Sequence, residues 1–373
     1  MLYKIHEHLN AKFTIFAGYQ LPLYYTSITQ EHLAVRKNVG IFDVSHMGRI
    51  LIQGNNSFDF LNYLTANDVE KIYPGKMQYS LILNEKGGIK DDITIFNMGN
   101  NEFLLVVNAT NRLKIINWLN KHKHNFGDIR LSDLTKQSIM IAVQGPKSKH
   151  IIDETFNNFS DLRRFHFGVE NIETSRLVIS RSGYTGEDGF EIILLNTPRK
   201  RGIELWNKLF KKVIEINGLP CGLGARDSLR IEAGYCLYDN DIDENTNPYE
   251  ASLGWVVKIY KKDFIGKKAL LELKNKVLKM RMGLVMKEPG IPRKGYKIYH
   301  LDKDSHEKTI IGYVTSGTYS PILNKGIGMG YISSNYIDNK EIYIEIRKKL
   351  RSAEIKSFPL YDENQYGWKR VNK

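Results

Sequence analysis

The chain has 373 residues, enough for two or three domains with sizeable cores. Hydrophobic residues make up 42% and charged residues 25%, which excludes a wholly disordered chain, and the longest apolar runs, "FLLVV" and "LGWVVKIY", are far too short to span a bilayer. The net charge of +13 is dispersed, mainly as lysine ("KKDFIGKKALLELKNKVLKMRMG", "RKKLR"), so a solvated basic surface is the plain reading and attraction to an acidic partner the sharper one.

The first residues, "MLYKIHEHLN", have no apolar h-region, carry His and Glu early, and lack the Arg- and Ser-rich look of a transit peptide. "GRILIQG" (Gly48–Gly54) predicts a strand, and "NNSFDFLNYLT" a helix with an Asn cap and Phe58, Leu61 and Leu64 at helical spacing. "MQYSLILN" and "GGIKDDITIF" predict a hairpin across Asn-Glu-Lys-Gly-Gly, and "NEFLLVVN" a third strand. "ATNRLKIINWLNKHKHN" predicts an amphipathic helix with Leu113, Ile116 and Leu119 on one side. A strand ("SIMIAVQGP"), a helix ("SKHIIDETF"), a second hairpin ("RLVISRSGYTGEDGFEIILL"), a long basic helix ("RKRGIELWNKLFKKVIEI") and a helix after a glycine turn ("GLGARDSLRIEAGY") follow.

From about Met280 the pattern changes to short strands: "RMGLVM", "YKIYHL", "TIIGYVTSG", "IGMGYIS", "EIYIEI" and "AEIKSF", the signature of a small barrel or sandwich. The fold class is α+β, with a domain boundary expected in the lysine-rich stretch Lys267–Lys279. Cys221 and Cys236 have no CxxC or His cluster beside them and are expected as buried thiols, not a disulfide or a metal site; such cysteine usage fits a reducing cytoplasm.

Three stretches carry candidate chemistry. In "GGIKDDITIF", alternation puts Asp91 on the face of Ile89, Ile93 and Ile95, and Asp92 on that of Lys90, Thr94 and Phe96. Asp91 follows the turn, where it could cap the hairpin; Asp92 suits a mixed pocket wall; a hairpin that merely carries two acids is the plain alternative. In "SGYTGEDGFEI", Gly183, Gly186 and Gly189 permit an unusual backbone, and Glu191 is an acid inside a strand, able to accept two parallel hydrogen bonds from a heterocycle edge or simply to be solvated. In "GLGARDS", Arg226, Asp227 and Arg230 explain one another as local ion pairs, and "GLGA" is no phosphate fingerprint. His46, in "FDVSHMG", reads as structural, and no HExxH, GxSxG or zinc spacing occurs.

Together, "GYQLPLYYTSITQEHLAVRKNVGIFDVSHMG", "YSLILNEKGGIKDDI", "SGYTGEDGFEI", "GLGARDSLRIEAGYCLYDNDIDENTNPYEASLGWVVK" and "VTSGTYSPILNKGIGMGYI" resemble the aminomethyltransferases, the T-proteins of the glycine cleavage system, from near residue 1 to the last strands. The resemblance implies a three-domain clover-leaf arrangement: residues 1–270 as a folate-binding region of two interleaved α+β domains, and 280–373 as an antiparallel barrel. It implies transfer of an aminomethyl carbon from the lipoyl arm of an acidic H-protein to tetrahydrofolate, giving ammonia and 5,10-methylenetetrahydrofolate, with no metal, nucleic acid or membrane involved.

The second Asp of the family's paired motif falls on Asp92, implied as the catalytic acid. Met47, Tyr79, Asn108, Tyr184, Glu191, Arg226 and Tyr235 are implied to line the folate site, with Glu191 on the pterin edge and Arg226 alternatively orienting Glu191. Asp91 is then the turn-side acid, held by hairpin hydrogen bonds. Asp239 stands where the family often shows glycine, and "PLYDENQYGWKR" extends the tail. Lysines of the Arg199–Lys212 helix are candidates for steering the acidic partner or the folate tail. A folate-dependent demethylase of the same fold is the alternative enzyme. The related oxidases carry an FAD domain for which this chain has no GxGxxG, and a folate-binding iron–sulfur assembly protein would show a "GCYxGQ" motif that is absent.

Overall fold

Three sheets account for most of the strands in the computed structural model, which describes residues 2–156, 159–302, 307–339 and 341–371. The first is antiparallel throughout, in the order Met77–Leu83, Ile89–Gly99, Glu102–Val107, Gly48–Gln53, Arg130–Asp133. The helices Ser57–Leu64 and Arg112–His122 lie on one face and bury Phe60, Leu61, Trp118 and Leu119 against Ile50, Ile52, Ile93 and Ile95. Each such aliphatic side chain removed from water contributes roughly 1.5–3 kcal/mol.

The second sheet runs Phe167–Ile172, Ser175–Ser180, Gly189–Leu195, Ile139–Gln144, Gly40–Asp43, Leu219–Pro220. Its last pair is parallel, so the early strand Gly40–Asp43 sits between two strands that come much later in the chain. The helices Ser148–Thr155 and Arg199–Glu215 cover its outer face, with Trp206, Leu209 and Val213 in the core. The two sheets share a core in which Phe96, Leu104 and Val106 of the first meet Ala142, Val178 and Ile193 of the second.

The strands Lys279–Met286, Lys325–Ser333, Lys308–Ser320, Lys297–Leu301, Ile342–Ile346 and Lys349–Lys356 close into a barrel in that order, which removes every free edge. Leu284, Ile298, Val314, Ile332, Ile342 and Ile344 fill it. The helix Leu223–Ala233 joins the barrel to the rest: Ile231 packs on Val285, Ile327 and Met329, and Arg230 donates to Ser316 at 2.8 Å and pairs with the buried Asp241.

Three local expectations are corrected. Asn56 precedes its helix without a side-chain cap and donates instead to the Phe126 carbonyl. The helix Arg112–His122 is turned so that Ile115, Trp118 and Leu119 face inward, because the Trp118 ring supplies more apolar area; Leu113 is 64% exposed. In the hairpin, Leu83 pairs with Ile89 and Ile82 with Asp91, so Lys90 is an extra, bulged residue. The bulge moves Ile89 to the face of Asp92, where it packs with Leu81 and Leu83, and leaves Asp91 with Ile82, Ile93 and Ile95.

Candidate active site

The paired acids are held by the segment that follows the neighbouring strand. Asn108, just past Glu102–Val107, spans both: its Nδ2 lies 2.8 Å from Asp91 Oδ1 and 2.8 Å from Asp92 Oδ1. The Asn108 backbone N–H and Asn111 Nδ2 also donate to Asp91, at 3.2 Å and 2.6 Å. Asp91 is therefore not tied up in hairpin hydrogen bonds. That task falls to Asn84, whose Oδ1 accepts from the Lys86 and Gly88 backbone N–H groups.

Asp91 is fully buried and Asp92 half-buried. Burial, and then the charge of Asp92, pushes the Asp91 carboxyl up to about 8. Burial pushes Asp92 up to about 6, against the opposing hydrogen bonds from Tyr79 and Asn108. Two carboxyls bridged by one amide titrate as a pair, which near neutrality retains a proton.

Tyr79 crosses from the adjacent strand and donates its phenol to Asp92 Oδ2 at 3.0 Å. Its ring stacks on Trp255, with centroids 5.9 Å apart. Trp255 belongs to the apolar run "LGWVVKIY" and sits in the 3-10 turn Gly254–Val256, where the residue is 61% exposed.

The second cluster grows from the "GYTGEDG" turn and the helix Leu223–Ala233. Gly186 has φ +81°, a left-handed conformation, and a Cβ on Gly183 would fall 1.9 Å from the buried Gln144 side chain, so both glycines are required by geometry. The turn presents Tyr184, whose phenol donates to the Cys236 carbonyl. The Arg226 guanidinium lies 4.5 Å over the Tyr184 ring, and Tyr235 lies 5.9 Å from Tyr184 on centroids. Among the described residues the Arg226 side chain makes no hydrogen bond or ion pair, so it does not orient Glu191 through one; of the expected local ion pairs only Arg230–Asp227 forms, at 2.8 Å. Glu191 accepts from Ser182 Oγ at 2.5 Å through Oε2, and no described hydrogen bond reaches its other oxygen.

Tyr184 is electrostatically linked to both Asp92 and Arg226, and Arg226 to Glu191, which joins the clusters. Burial dominates the ionisation of Asp92, Tyr79, Tyr184 and Arg226, raising the acids and lowering the guanidinium, yet each keeps solvent-accessible surface. These side chains are thus largely shielded from water while each still reaches solvent. Met47 stands apart: it packs half-buried on the shared core, and its neighbour His46 feels the Arg226 charge. Burial holds His46 neutral, down to about 3, and its Nδ1 has no partner among the described residues.

Cys221 and Cys236 are free and buried; burial raises both thiols, Cys236 to about 12, so neither offers a thiolate. Among the described residues no group of three His, Cys, Asp or Glu side chains is placed to hold a metal, and no helix is long and apolar enough to cross a membrane. Asp239, the family's frequent glycine position, has φ 65°, a left-handed conformation that Asp tolerates better than most residues. In the basic helix, Lys208 donates to the Thr155 carbonyl at 2.7 Å, while Lys212 pairs with Glu154 and Glu215, so part of its charge is used locally.

A two-sheet α+β core joined to a closed six-stranded antiparallel barrel defines a protein of the GCVT fold. The family model described as the GCVT N-terminal domain matches residues 2–261, and the glycine cleavage T-protein C-terminal barrel domain matches 279–362. An aminomethyltransferase of Aquifex aeolicus is 46% identical over 96% of this chain and 94% of its own length. That of Chloroherpeton thalassium is 42% identical over 98% and 99%. The crystal structure of the glycine cleavage system aminomethyltransferase T from Bartonella henselae superposes with a TM-score of 0.88 at 33% identity, covering 99% of this chain and 98% of that one. The chain belongs to the aminomethyltransferase family of glycine cleavage T-proteins.

Proposed function

We propose that this enzyme transfers the methylene carbon of an aminomethyl group, carried on the dihydrolipoyl arm of an H-protein, to tetrahydrofolate. Two carbon–nitrogen bonds form to the folate, and the carbon's bonds to sulfur and to the amine break. The two folate N–H protons end on ammonia and on the released thiol, so 5,10-methylenetetrahydrofolate, ammonia and the dihydrolipoyl arm result.

The observation that carries this reading is the half-buried Asp92, held between Tyr79 and Asn108 and poised near neutrality by burial. A carboxylate so placed accepts or steers a proton from the folate nitrogen and stabilises positive charge on the carbon between sulfur and nitrogen. The other groups fit a pterin: Glu191 has an acceptor oxygen to spare for adjacent amino and ring N–H donors, Arg226 is unpaired, and Tyr184, Tyr235 and Tyr79 supply aromatic walls. Asn108 fixes Asp92, whereas Met47 packs on the core shared by the two sheets, apart from these groups. The division into a folate-binding region (1–270) and a barrel (280–373), and a cytoplasmic setting, belong to the same proposal.

The test supplies lipoylated, aminomethylated H-protein and tetrahydrofolate and measures ammonia and methylenetetrahydrofolate. Production of both in equal amounts is expected. Demethylation of a sulfur compound with no turnover of the H-protein adduct would replace this reading by the demethylase one.

A further inference from the structure

The segment after the barrel folds back onto the turn that carries Tyr184. The Trp368 backbone N–H donates to the Gly186 carbonyl at 3.0 Å, and the Gly367 N–H donates to Glu187 Oε1 at 2.9 Å. Arg370 pairs with Glu187 Oε2 and donates to the Arg36 carbonyl at 3.1 Å. The Glu187 side chain is fully buried. Its other cation, Arg36, lies 3.1 Å away but also serves the buried Glu232 at 2.8 Å. Without Arg370, two buried carboxylates would share one guanidinium, a costly arrangement in a poorly solvated interior.

The same segment reaches the site by a second route. The Trp368 ring lies under the Arg164 guanidinium at 4.2 Å, and Arg164 Nη2 donates to the Tyr235 phenol at 3.4 Å. Trp368, Arg164, Tyr235, Tyr184 and Arg226 thus form a continuous ladder of rings and guanidinium groups from the tail to the helix Leu223–Ala233. Glu187, Gly367, Trp368 and Arg370 were absent from the sequence-based site, and residues 363–371 lie beyond the family's barrel match at 362.

We propose that Trp368 and Arg370 are positioning residues: the tail straps the 184–188 turn and sets the spacing of Tyr184 and Tyr235 for substrate binding. The strap touches no reacting atom, so its signature is in substrate binding and not in the chemical step. The link to folate rests on the function proposed above; the strap itself does not.

The test uses the full chain with Arg370→Ala, Arg370→Lys and Trp368→Ala, read for tetrahydrofolate KM and kcat and for backbone amide exchange of the 184–188 peptide. Arg370→Ala is expected to raise KM about tenfold with kcat within about twofold, and Arg370→Lys to recover most of the loss. Exchange in 184–188 is expected to quicken in both alanine variants. Trp368→Ala leaves the buried carboxylates paired, so it remains informative if Arg370→Ala does not fold. Wild-type KM and wild-type exchange in Trp368→Ala, or a fall in kcat at constant KM, overturns the strap. A wild-type chain that makes no methylenetetrahydrofolate overturns the reading of the reaction instead, while the exchange measurement still decides the strap.

Discussion

Tyr79 donates its phenol to Asp92 across two paired strands at 3.0 Å while its ring rests on Trp255. The contact fixes the carboxylate from one side as Asn108 fixes it from the other, at 2.8 Å. Both hydrogen bonds favour the ionised acid and burial favours the neutral one, so Asp92 sits well above an ordinary carboxyl and within reach of proton exchange at neutral pH.

Asp92→Asn keeps the size and the Tyr79 contact but cannot take a proton. Tetrahydrofolate affinity by calorimetry should stay within about twofold, and kcat should fall by about 10²–10⁴, the usual contribution of a positioned acid or base. Wild-type turnover in this variant sinks the catalytic assignment.

Glu191→Ala removes the proposed partner of the pterin edge. Titration calorimetry should show a greater loss of tetrahydrofolate affinity than in Asp91→Ala, by about tenfold or more for a charge-assisted pair. The reverse order would move the pterin away from Glu191.

Asp91 and Asp92 bear on stability through pH. Their folded values, about 8 and about 6, exceed the ordinary 3.8, so the folded chain holds protons that the unfolded chain has released. The stabilisation is fully present below the ordinary value and is lost as pH rises through the folded ones. Asp91→Asn abolishes one titration, and urea denaturation at about pH 5 and about pH 8 should show the stability difference shrinking by on the order of 2 kcal/mol. An unchanged difference would mean that Asp91 is ionised throughout.

Asp241 ties the barrel to the helix Leu223–Ala233. It pairs with Arg230 at 2.5 Å, accepts from the Leu237 N–H at 2.9 Å and from Thr315, and its carboxyl is held below the ordinary value despite the opposing effect of burial. Asp241→Asn leaves the buried Arg230 paired with the half-exposed Asp227 alone and should destabilise the fold by about 2–4 kcal/mol in urea titrations. The wild-type contribution is present above the ordinary carboxyl value and lost as pH falls through the folded one, opposite in sign to that of Asp91.

Much of the architecture was legible because it is local. Period-2 runs gave the hairpins, and closely spaced short strands marked the barrel. Alternation correctly buried Asp91, but the groups that hold it, Asn108 and Asn111, come from a segment beyond the next strand, and no local pattern reports them. The bulge at Lys90 was equally hidden, since one extra residue reverses faces without changing composition. Leu113 misled because a helix has several apolar rows and packing selects among them. In the second cluster, "GYTGEDG" announced an unusual turn, whereas the Glu187–Arg370 pair joins residues far apart in sequence, and Trp255 becomes meaningful only beside Tyr79.

The placement of Gly40–Asp43 between Ile139–Gln144 and Leu219–Pro220 has a kinetic consequence. The strand emerges early in synthesis, yet its first neighbour, Ile139–Gln144, is made much later and its second later still. Loop closure over such separations slows folding, and the unpaired Gly-Ile-Phe edge waits exposed in the meantime. A nascent chain stopped short of residue 219 would lack one of those neighbours. The two α+β layers should therefore refold as one slow cooperative unit, while the barrel, whose six strands are contiguous in sequence, is free to close on its own schedule.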